Sequence, residues 1–274
     1  MQEACRAKFQ QDIYDYYRNN RRDFAWRGVQ DPYKIVVSEI MLQQTQTSRV
    51  VEKYAQFIAA LPTFAALANA VQRDVLTLWS GLGYNRRGLA LHKIAQRVVQ
   101  DFGGKLPADA AVLQTFSGIG PNTAGSICAF AFNMPVVFIE TNIRAVYIHT
   151  FFKNRTDKIS DKELLPLIEQ TVDHANAREW YYALMDYGVM LKKQHANPSR
   201  KSATHARQST FEGSERQIRG MIIKLLTQFP VLTFEQLLEL IPKQPERIER
   251  NLADLCSEGL VRQREEQDSE VYFL

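Results

Sequence analysis

The feature that most constrains the fold is a succession of amphipathic helical segments in the first two-thirds of the chain. Apolar residues recur there at helical spacing, and glycines and prolines separate the segments, as in TFAALANA, RDVLTLWSGLG and DAAVLQTFSGIG. One segment starts with Asp31 as N-cap and Pro32 at the first helical position. Few alternating runs are long enough for a sheet, so the sequence predicts a mainly α-helical body.

The carboxy-terminal segment, residues 215–274, has a different pattern. It predicts three helices, the third over about Pro245–Glu258, and then two short strands, Leu260–Arg264 and Glu270–Leu274. This order is that of a winged helix-turn-helix, which usually binds DNA through its third helix, although protein-binding versions are common. The polar residues 193–214 before it predict a structureless basic linker.

Composition narrows the class of protein. With 274 residues, 45% of them hydrophobic, the chain can form two or three domains. It has no apolar run of the roughly 18 residues that a membrane span needs, and its amino terminus is unlike a signal peptide. The three cysteines lie far apart, which predicts neither a disulfide framework nor a metal site. We therefore expect a cytoplasmic protein without membrane contact, whose basic segment 192–207 could attract DNA phosphates.

The stretch LQTFSGIGPNTAGSICAFAF predicts two helices joined by a tight turn. Gly118 and Gly120 allow a close backbone approach, and a helix starting at Pro121 points free N–H groups outward. The turn is either a phosphate site or a plain helix-helix connection. The apolar run PVVFI that follows ends in Glu140, which either serves chemistry or caps a helix starting at Thr141.

This order of hairpin, apolar stretch and acid resembles the helix-hairpin-helix superfamily of DNA glycosylases. FAWRGVQDPYKIVVSEIMLQQTQTSRV, LWSGLGYNRRGLALHK, GIGPNTAG and ALMDYGVM are similar to segments of MutY-type adenine DNA glycosylases. The resemblance covers about residues 24–190 and implies two helical subdomains with a cleft between them. These are residues 28–135, with the hairpin, and residues 1–27 together with 136–192; the linker 193–214 and the winged-helix-like module 215–274 follow.

The resemblance also implies catalytic roles. Glu39 matches the glutamate that protonates the flipped adenine, and its apolar surroundings, IVVSEIML, suit a proton donor because burial raises a carboxyl pKa. Glu140 occupies the place of the second acid, which stays ionised beside the sugar, and Asn142 keeps the family's asparagine. The family has aspartate where this chain has Glu140, so either the pocket has adjusted or the activity has changed.

The same resemblance implies further site residues. The base pocket would contain Trp26, Arg27, Gln44 and Asn122, and the DNA-binding residues would be Gln43, Thr45, Tyr84, Arg86, Arg87, Gly118, Gly120 and Thr123. Among them, Tyr84 and Gln43 would be the wedge that fills the gap left by the flipped base. Arg27 and Gln44 offer hydrogen-bonding groups for the base edge, and Arg86 and Arg87, directly after the turn with Tyr84, are placed to contact DNA phosphates. Asn122 stands where bifunctional relatives such as endonuclease III have their catalytic lysine, so a monofunctional enzyme is expected.

Most relatives carry a four-cysteine loop that binds a 4Fe–4S cluster. Here the corresponding positions are Lys192, Ser199, Ser202 and Gln208, so we expect no cluster, no other cofactor and no metal. The winged-helix-like module takes the place of the larger carboxy-terminal domain with which MutY proteins inspect 8-oxoguanine.

Three functions remain open from the sequence. The first is a nucleoid-associated, monomeric glycosylase that hydrolytically removes adenine opposite guanine or 8-oxoguanine in double-stranded DNA. The second is an enzyme acting on thymine, uracil or a deaminated purine in mismatches. The third is a catalytically inactive DNA-binding homologue. The presence of Glu39, Gln43, Gln44, Tyr84 and Asn142 together favours an enzyme.

Overall fold

Helices dominate the structure, a computed structural model that describes residues 2–206, 210–266 and 269–274. The helices are α1 Glu3–Asn20, α2 Pro32–Leu42, α3 Thr47–Ala60, α4 Phe64–Ala68, α5 Gln72–Trp79, α6 Arg86–Phe102, α7 Ala110–Gln114, α8 Pro121–Phe132, α9 Thr141–Phe151, α10 Asp161–Thr171, α11 Ala177–Gln194, α12 Glu215–Gln228, α13 Phe234–Leu240 and α14 Pro245–Ser257, with a 3-10 helix at Pro198–Lys201. The strands are β1 Leu232–Thr233, β2 Arg262–Glu266 and β3 Ser269–Phe273. Within the described ranges, no helix is long and apolar enough to cross a membrane. The prediction of a mainly α-helical fold is confirmed.

The chain forms two compact units, and the first contains Met1–Ile35 and Pro107–Arg207. Its core is aromatic: the ring of Phe9 on α1 lies 5.4 Å from that of Tyr147 on α9 and 5.9 Å from that of Trp180 on α11. Such edge-on aromatic contacts bury large apolar surfaces in a defined geometry. This core holds α9 and α11 against each other.

The predicted hairpin lies in the first unit. The side chain of Asp109 caps α7 by accepting from the amides of Ala111 and Val112, and Gly118 turns the chain with a φ of 78°. Gly125 on α8 lies against the extended segment that follows, since a Cβ there would come within 2.6 Å of Phe138. The hairpin helix and the segment leading to Glu140 are therefore in close contact.

The second unit contains Val36–Leu106 and Gln208–Leu274. Leu76 on α5 and Leu89 on α6 are buried in the same apolar cluster as Ile218 and Ile222 on α12. The carboxy-terminal helices thus share a core with α5 and α6.

The small sheet has the antiparallel order β1-β3-β2, with Leu232 opposite Tyr272 and Arg262 opposite Phe273. Strand β2 starts two residues later than the predicted Leu260. Strand β1 was missed because its two residues are too few to show an alternating pattern. Part of the predicted turn, Gln267 and Asp268, lies outside the described residues.

Helix α14 closely matches the predicted third helix of the module. Its arginines Arg247 and Arg250 donate to the carboxylate of Glu215 on α12, at 2.8 and 3.0 Å. Two arginines of the predicted third helix are therefore paired inside the module, which does not support DNA contact through this helix.

The predicted linker is not structureless throughout. The amide of Ile159 donates to the carbonyl of Lys201 at 2.9 Å, and the amide of Ala203 donates to the carbonyl of Ile159 at 2.8 Å. These two hydrogen bonds and the 3-10 helix fix part of the segment to the first unit. Charge and polarity in the sequence could not show this pairing, because the partner Ile159 lies far away in the chain.

Candidate active site

Glu140 ends the extended segment after α8 and caps α9. Its Oε1 accepts hydrogen bonds from the backbone amides of Asn142, at 2.7 Å, and of Ile143, at 2.9 Å. Glu140 is therefore the N-cap of α9, as one of the two interpretations of the sequence predicts. A cap does not exclude the anionic role, because the amino end of a helix carries partial positive charge and favours a carboxylate held in one place.

Asn142 connects this carboxylate to helix α11. Its side-chain Nδ2 donates to Oε2 of Glu140 at 3.1 Å, and its Oδ1 accepts from Nζ of Lys192 at 2.8 Å. Burial lowers the pKa of Lys192, while the charge of Glu140 acts in the opposite direction. The sequence analysis treated Lys192 as a lost cluster position and as part of the basic segment 192–207, and it did not predict this contact.

Gly188 on α11 permits the approach of Asn142. A Cβ at position 188 would lie 2.5 Å from the carbonyl oxygen of Asn142 and 2.7 Å from its Cβ. These separations are too short for any larger residue, and the obstructing atoms include backbone. The glycine in the ALMDYGVM segment therefore allows the start of α9 to lie directly against α11.

The hairpin residues belong to the same unit as Glu140. Oδ1 of Asn122 accepts from the amide of Ile139 at 3.2 Å, which ties the first turn of α8 to the residue before Glu140. Gly118 and Gly120 are exposed, and Thr123 is half-buried. The exposed turn is compatible with the expected phosphate contact.

Glu39 lies on α2 in the second unit. It is half-buried, with the buried residues Ser38 and Ile40 on either side. The guanidinium of Arg87 donates to the carbonyls of Ile40 and Met41, both at 3.1 Å. The last carbonyls of a helix have no partner within it, so Arg87 closes the carboxyl end of α2 just beyond Glu39.

The expectation that Arg87 binds DNA phosphates is not supported. Its donors are also taken by Oγ1 of Thr45, at 2.9 Å, by the carbonyl of Gly83, at 3.0 Å, and by the carbonyl of Gln43. Burial lowers the pKa of Arg87 to about 10, which still leaves it charged at neutral pH. Arg87 therefore joins two turns of the backbone, one at Gln43 and one at Gly83, by donating hydrogen bonds to their carbonyls.

These two turns carry the predicted wedge and pocket residues. Gln44 and Tyr84 have φ angles of 52° and 48°, in the left-handed region that costs energy for residues other than glycine. Strain of this kind persists only where surrounding contacts fix it, and Arg87 supplies such contacts. The second unit thus brings Gln43, Thr45 and Tyr84 together around the guanidinium of Arg87.

Tyr84 and Arg86 contact the carboxy-terminal helices. Tyr84 is 38% exposed, its hydroxyl accepts from Nη1 of Arg216 at 2.9 Å, and that guanidinium lies 5.5 Å from the centroid of the Tyr84 ring. Arg86, expected at DNA phosphates, donates from Nε to Glu258 at 2.6 Å. A phosphate would have to compete with Glu258, which also accepts from Arg219.

Trp26 and Arg27 lie in the first unit and are largely enclosed. Trp26 is 4% exposed and stacks on Phe24, with ring centroids 4.9 Å apart. The guanidinium of Arg27 binds both carboxylate oxygens of Asp186, at 2.6 and 2.8 Å, and that carboxylate also accepts from Nε of Arg22 at 2.6 Å. This pairing argues against the expected hydrogen bonds from Arg27 to a base edge. Asp186 was overlooked, although it stands in the ALMDYGVM segment.

Replacement of Asp186 by alanine is expected to lower the free energy of unfolding by about 3–5 kcal/mol, because it leaves Arg27 buried without its counter-charge. Denaturant titration measures this loss. The control is Asp101→Ala, which removes the exposed partner of Arg97 and should cost at most about 1 kcal/mol. Equal losses in the two variants would contradict the prediction.

The same ion pair predicts a dependence of stability on pH. Burial alone would raise the pKa of Asp186, but the hydrogen bonds from Arg27 and Arg22 outweigh it and hold the pKa below its usual value. The stabilisation is therefore fully present above the unfolded pKa of about 3.9 and is lost as the pH falls through the folded value.

The loop that binds an iron–sulfur cluster in related proteins has no suitable ligands here. Lys192 contacts Asn142, the Oγ of Ser199 donates to Asn197 at 2.7 Å, and the Oγ of Ser202 pairs with Thr204 at 2.9 Å. The fourth position, Gln208, lies outside the described residues. In the part of the chain that the structure describes, no group of His, Cys, Asp or Glu is arranged to hold a metal ion. The residues present do not fit a cluster that requires thiolate ligands.

Comparison with known proteins places these features in a family. The family model for the HhH-GPD superfamily base excision DNA repair protein matches residues 37–170. The chain is 30% identical to the adenine DNA glycosylase of Mycolicibacterium smegmatis in an alignment of 270 residues that covers 92% of this chain and 92% of that protein. It is 35% identical to that of Buchnera aphidicola over 184 residues, 67% of this chain and 52% of that protein. The chain thus spans about half the length of the Buchnera relative.

Among solved structures, a thermostable thymine-DNA glycosylase superposes with a TM-score of 0.60 at 25% identity, covering 68% of this chain and 86% of that chain. Fold and sequence similarity together place the chain among the helix-hairpin-helix base excision repair proteins. The chain belongs to the HhH-GPD superfamily of base excision DNA repair proteins, and the prediction of a MutY-type member is confirmed.

Proposed function

We propose that this protein is a DNA N-glycosylase that hydrolytically removes adenine mispaired with guanine or 8-oxoguanine. The main structural support is the carboxylate of Glu140, which two backbone amides and Asn142 hold in one orientation. The relatives named adenine DNA glycosylase support the base, and the superfamily supports binding to DNA. The opposite base, the monomeric state and the nucleoid location remain predictions.

The proposed chemistry divides between two acids. Glu39 transfers a proton to the leaving base, because breaking an N-glycosyl bond is easier when the base departs neutral. Glu140 stays ionised and stabilises the positive charge that develops on the sugar as this bond breaks. A water molecule then adds to the sugar carbon and loses one proton, which balances the proton that Glu39 gave to the base, and the products are the free base and an abasic site.

The remaining residues bind and deform the DNA. Tyr84, with Gln43 beside it, is proposed to enter the space that the flipped base vacates, since an exposed ring can restore part of the lost stacking. The hairpin turn at Gly118 and Gly120 is proposed to bind a backbone phosphate.

The enzyme is proposed to be monofunctional. Strand cleavage in bifunctional relatives needs an amine that forms a Schiff base with the sugar. An asparagine side chain cannot supply that nucleophile, and Oδ1 of Asn122 is engaged with the amide of Ile139.

The enzyme is also proposed to work without an iron–sulfur cluster. The purified protein is expected to contain no stoichiometric iron and to show no visible absorbance, because Lys192, Ser199 and Ser202 cannot act as thiolate ligands. Elemental analysis and a visible spectrum check this, and about four irons per chain would contradict it.

The decisive test incubates the protein with duplexes containing A:8-oxoG, A:G, T:G, U:G and hypoxanthine pairs, followed by alkali to cleave abasic sites. Product from the adenine duplexes, absent with Glu39→Gln, supports the proposal. Strand cleavage without alkali would contradict the monofunctional assignment. Product from T:G or U:G alone would favour the second candidate, which the similarity to a thymine-DNA glycosylase supports. No product from any duplex would favour an inactive homologue.

A further inference from the structure

The carboxyl end of α11 presents one lysine to the proposed catalytic carboxylate through a single intermediary. Lys192 Nζ lies 2.8 Å from Oδ1 of Asn142, and Nδ2 of the same amide lies 3.1 Å from Oε2 of Glu140. Gly188 stands one helical turn before Lys192 and contacts the backbone of the same asparagine. One face of α11 therefore provides both the close approach and the hydrogen-bond donor.

The chemistry of the donor fixes the orientation of the amide. An ammonium group can only donate, so the side-chain oxygen of Asn142 must face Lys192. The NH₂ group of Asn142 then faces Glu140, where it donates to the carboxylate. Without the ammonium, the amide could rotate and bring its oxygen against the carboxylate, where two acceptors repel.

Lys192 also differs from an ordinary basic residue at the end of a helix. Cations in the last turn interact favourably with the helix dipole wherever their side chains point. The next residue, Lys193, is exposed and serves that purpose equally well, whereas Lys192 is partly buried. Burying an ammonium costs energy unless hydrogen bonds and a nearby anion offset it, and Asn142 and Glu140 provide these.

We propose that Lys192 is a positioning residue, which orients Asn142 and thereby holds the Glu140 carboxylate in its productive place. The inference rests on the proposed role of Glu140 as the anion that stabilises the sugar cation. It also gives a function to the position where related proteins carry the first cluster cysteine. A polar chain of three side chains, Lys192 to Asn142 to Glu140, connects the catalytic carboxylate to α11.

The test compares Lys192→Met, which keeps length but removes the charge and donors, with Lys192→Arg and with the neighbouring control Lys193→Met. Single-turnover rates of base release and the dissociation constant for a duplex with an abasic-site analogue are measured for each. Lys192→Met is expected to slow release about tenfold to a hundredfold, because small displacements of a catalytic group have effects of this size. Its DNA affinity should stay within about threefold, since only the chemical step depends on the carboxylate. Lys192→Arg should recover most of the rate, and Lys193→Met should match the wild type in the single-turnover rate measured with saturating protein.

A double-mutant cycle distinguishes positioning from general stabilisation. If Lys192 acts through Glu140, Lys192→Met should add little to the defect of Glu140→Gln, whereas independent effects would multiply. Multiplying effects, an unchanged rate in Lys192→Met, or equal losses in Lys192→Met and Lys193→Met would each overturn the proposal.

A second measurement does not depend on activity. The side-chain amide protons of Asn142, observed by NMR, are expected to exchange slowly in the wild type and in Lys193→Met, and fast in Lys192→Met. Equal exchange in all three proteins would show that Lys192 does not orient the amide. If the wild type released no base from any duplex, the proposed function would fail, and the exchange data would still decide whether Lys192 orients Asn142.

Discussion

Glu39→Gln is expected to lower the rate of base release by about a hundredfold to ten-thousandfold, the range that general acid catalysis contributes. Glutamine has nearly the same shape as glutamic acid, but its side chain has no acidic proton to transfer to the leaving base. The last turn of α2 should stay in place, because Arg87 binds the carbonyls of Ile40 and Met41 whichever residue stands at position 39. The loss should therefore lie in the chemical step, and single-turnover kinetics on an A:8-oxoG duplex measures it.

The matched control is Glu52→Gln on α3. Glu52 is exposed and accepts a hydrogen bond from Gln56 one turn later, at 3.0 Å. This substitution makes the same carboxyl-to-amide change in the same unit and should leave the rate unchanged. Affinity for a duplex with an abasic-site analogue should be similar in the wild type and both variants. A Glu39→Gln enzyme that releases the base at nearly the wild-type rate would assign the proton to another group.

Local signals in the sequence account for much of the fold. Asp31 and Pro32 predicted the start of α2, and the amide of Tyr33 does donate to Asp31, at 2.9 Å. The helix starting at Thr141 and its cap Glu140 could likewise be read from neighbouring residues, because a cap and its amides lie within three positions of one another. Features of this kind depend on contacts that are adjacent in the chain.

The roles of Arg87, Lys192 and Asp186 depend on partners distant in sequence. Arg87 binds the carbonyl of Met41, 46 residues away, and Lys192 binds Asn142, 50 residues away. A single sequence shows that a residue is cationic but not which acceptor it meets. Arg87 was therefore expected at DNA phosphates, since an arginine after an exposed turn reads as a surface cation. The resemblance to a family could not correct this expectation, because a match to a motif does not show which atoms surround the matched residue.

Glu140→Gln is expected to slow base release about a hundredfold to a thousandfold, the effect of removing one electrostatic contact to the transition state. Folding should be nearly unaffected, since a glutamine oxygen can still accept from the amides of Asn142 and Ile143. The NH₂ group of the new side chain would face the NH₂ group of Asn142, so the 3.1 Å hydrogen bond is lost together with the charge. Single-turnover rates and melting temperatures separate the two effects, and a large fall in melting temperature would contradict a catalytic explanation.

Glu140→Asp tests why this chain has the longer acid. Aspartate is a favoured N-cap residue, so the helix start should be as stable as in the wild type. Its carboxylate is withdrawn by about 1.5 Å, the length of one carbon–carbon bond. This shift moves the carboxylate away from the side-chain amide of Asn142, which Lys192 orients. Since a displacement of about 1 Å can cost a hundredfold, we expect a loss of about that size in the rate of release with no loss of charge. A rate equal to or above that of the wild type would show instead that the pocket accepts the family's shorter acid, and that Asn142 and Lys192 follow the carboxylate rather than fix it.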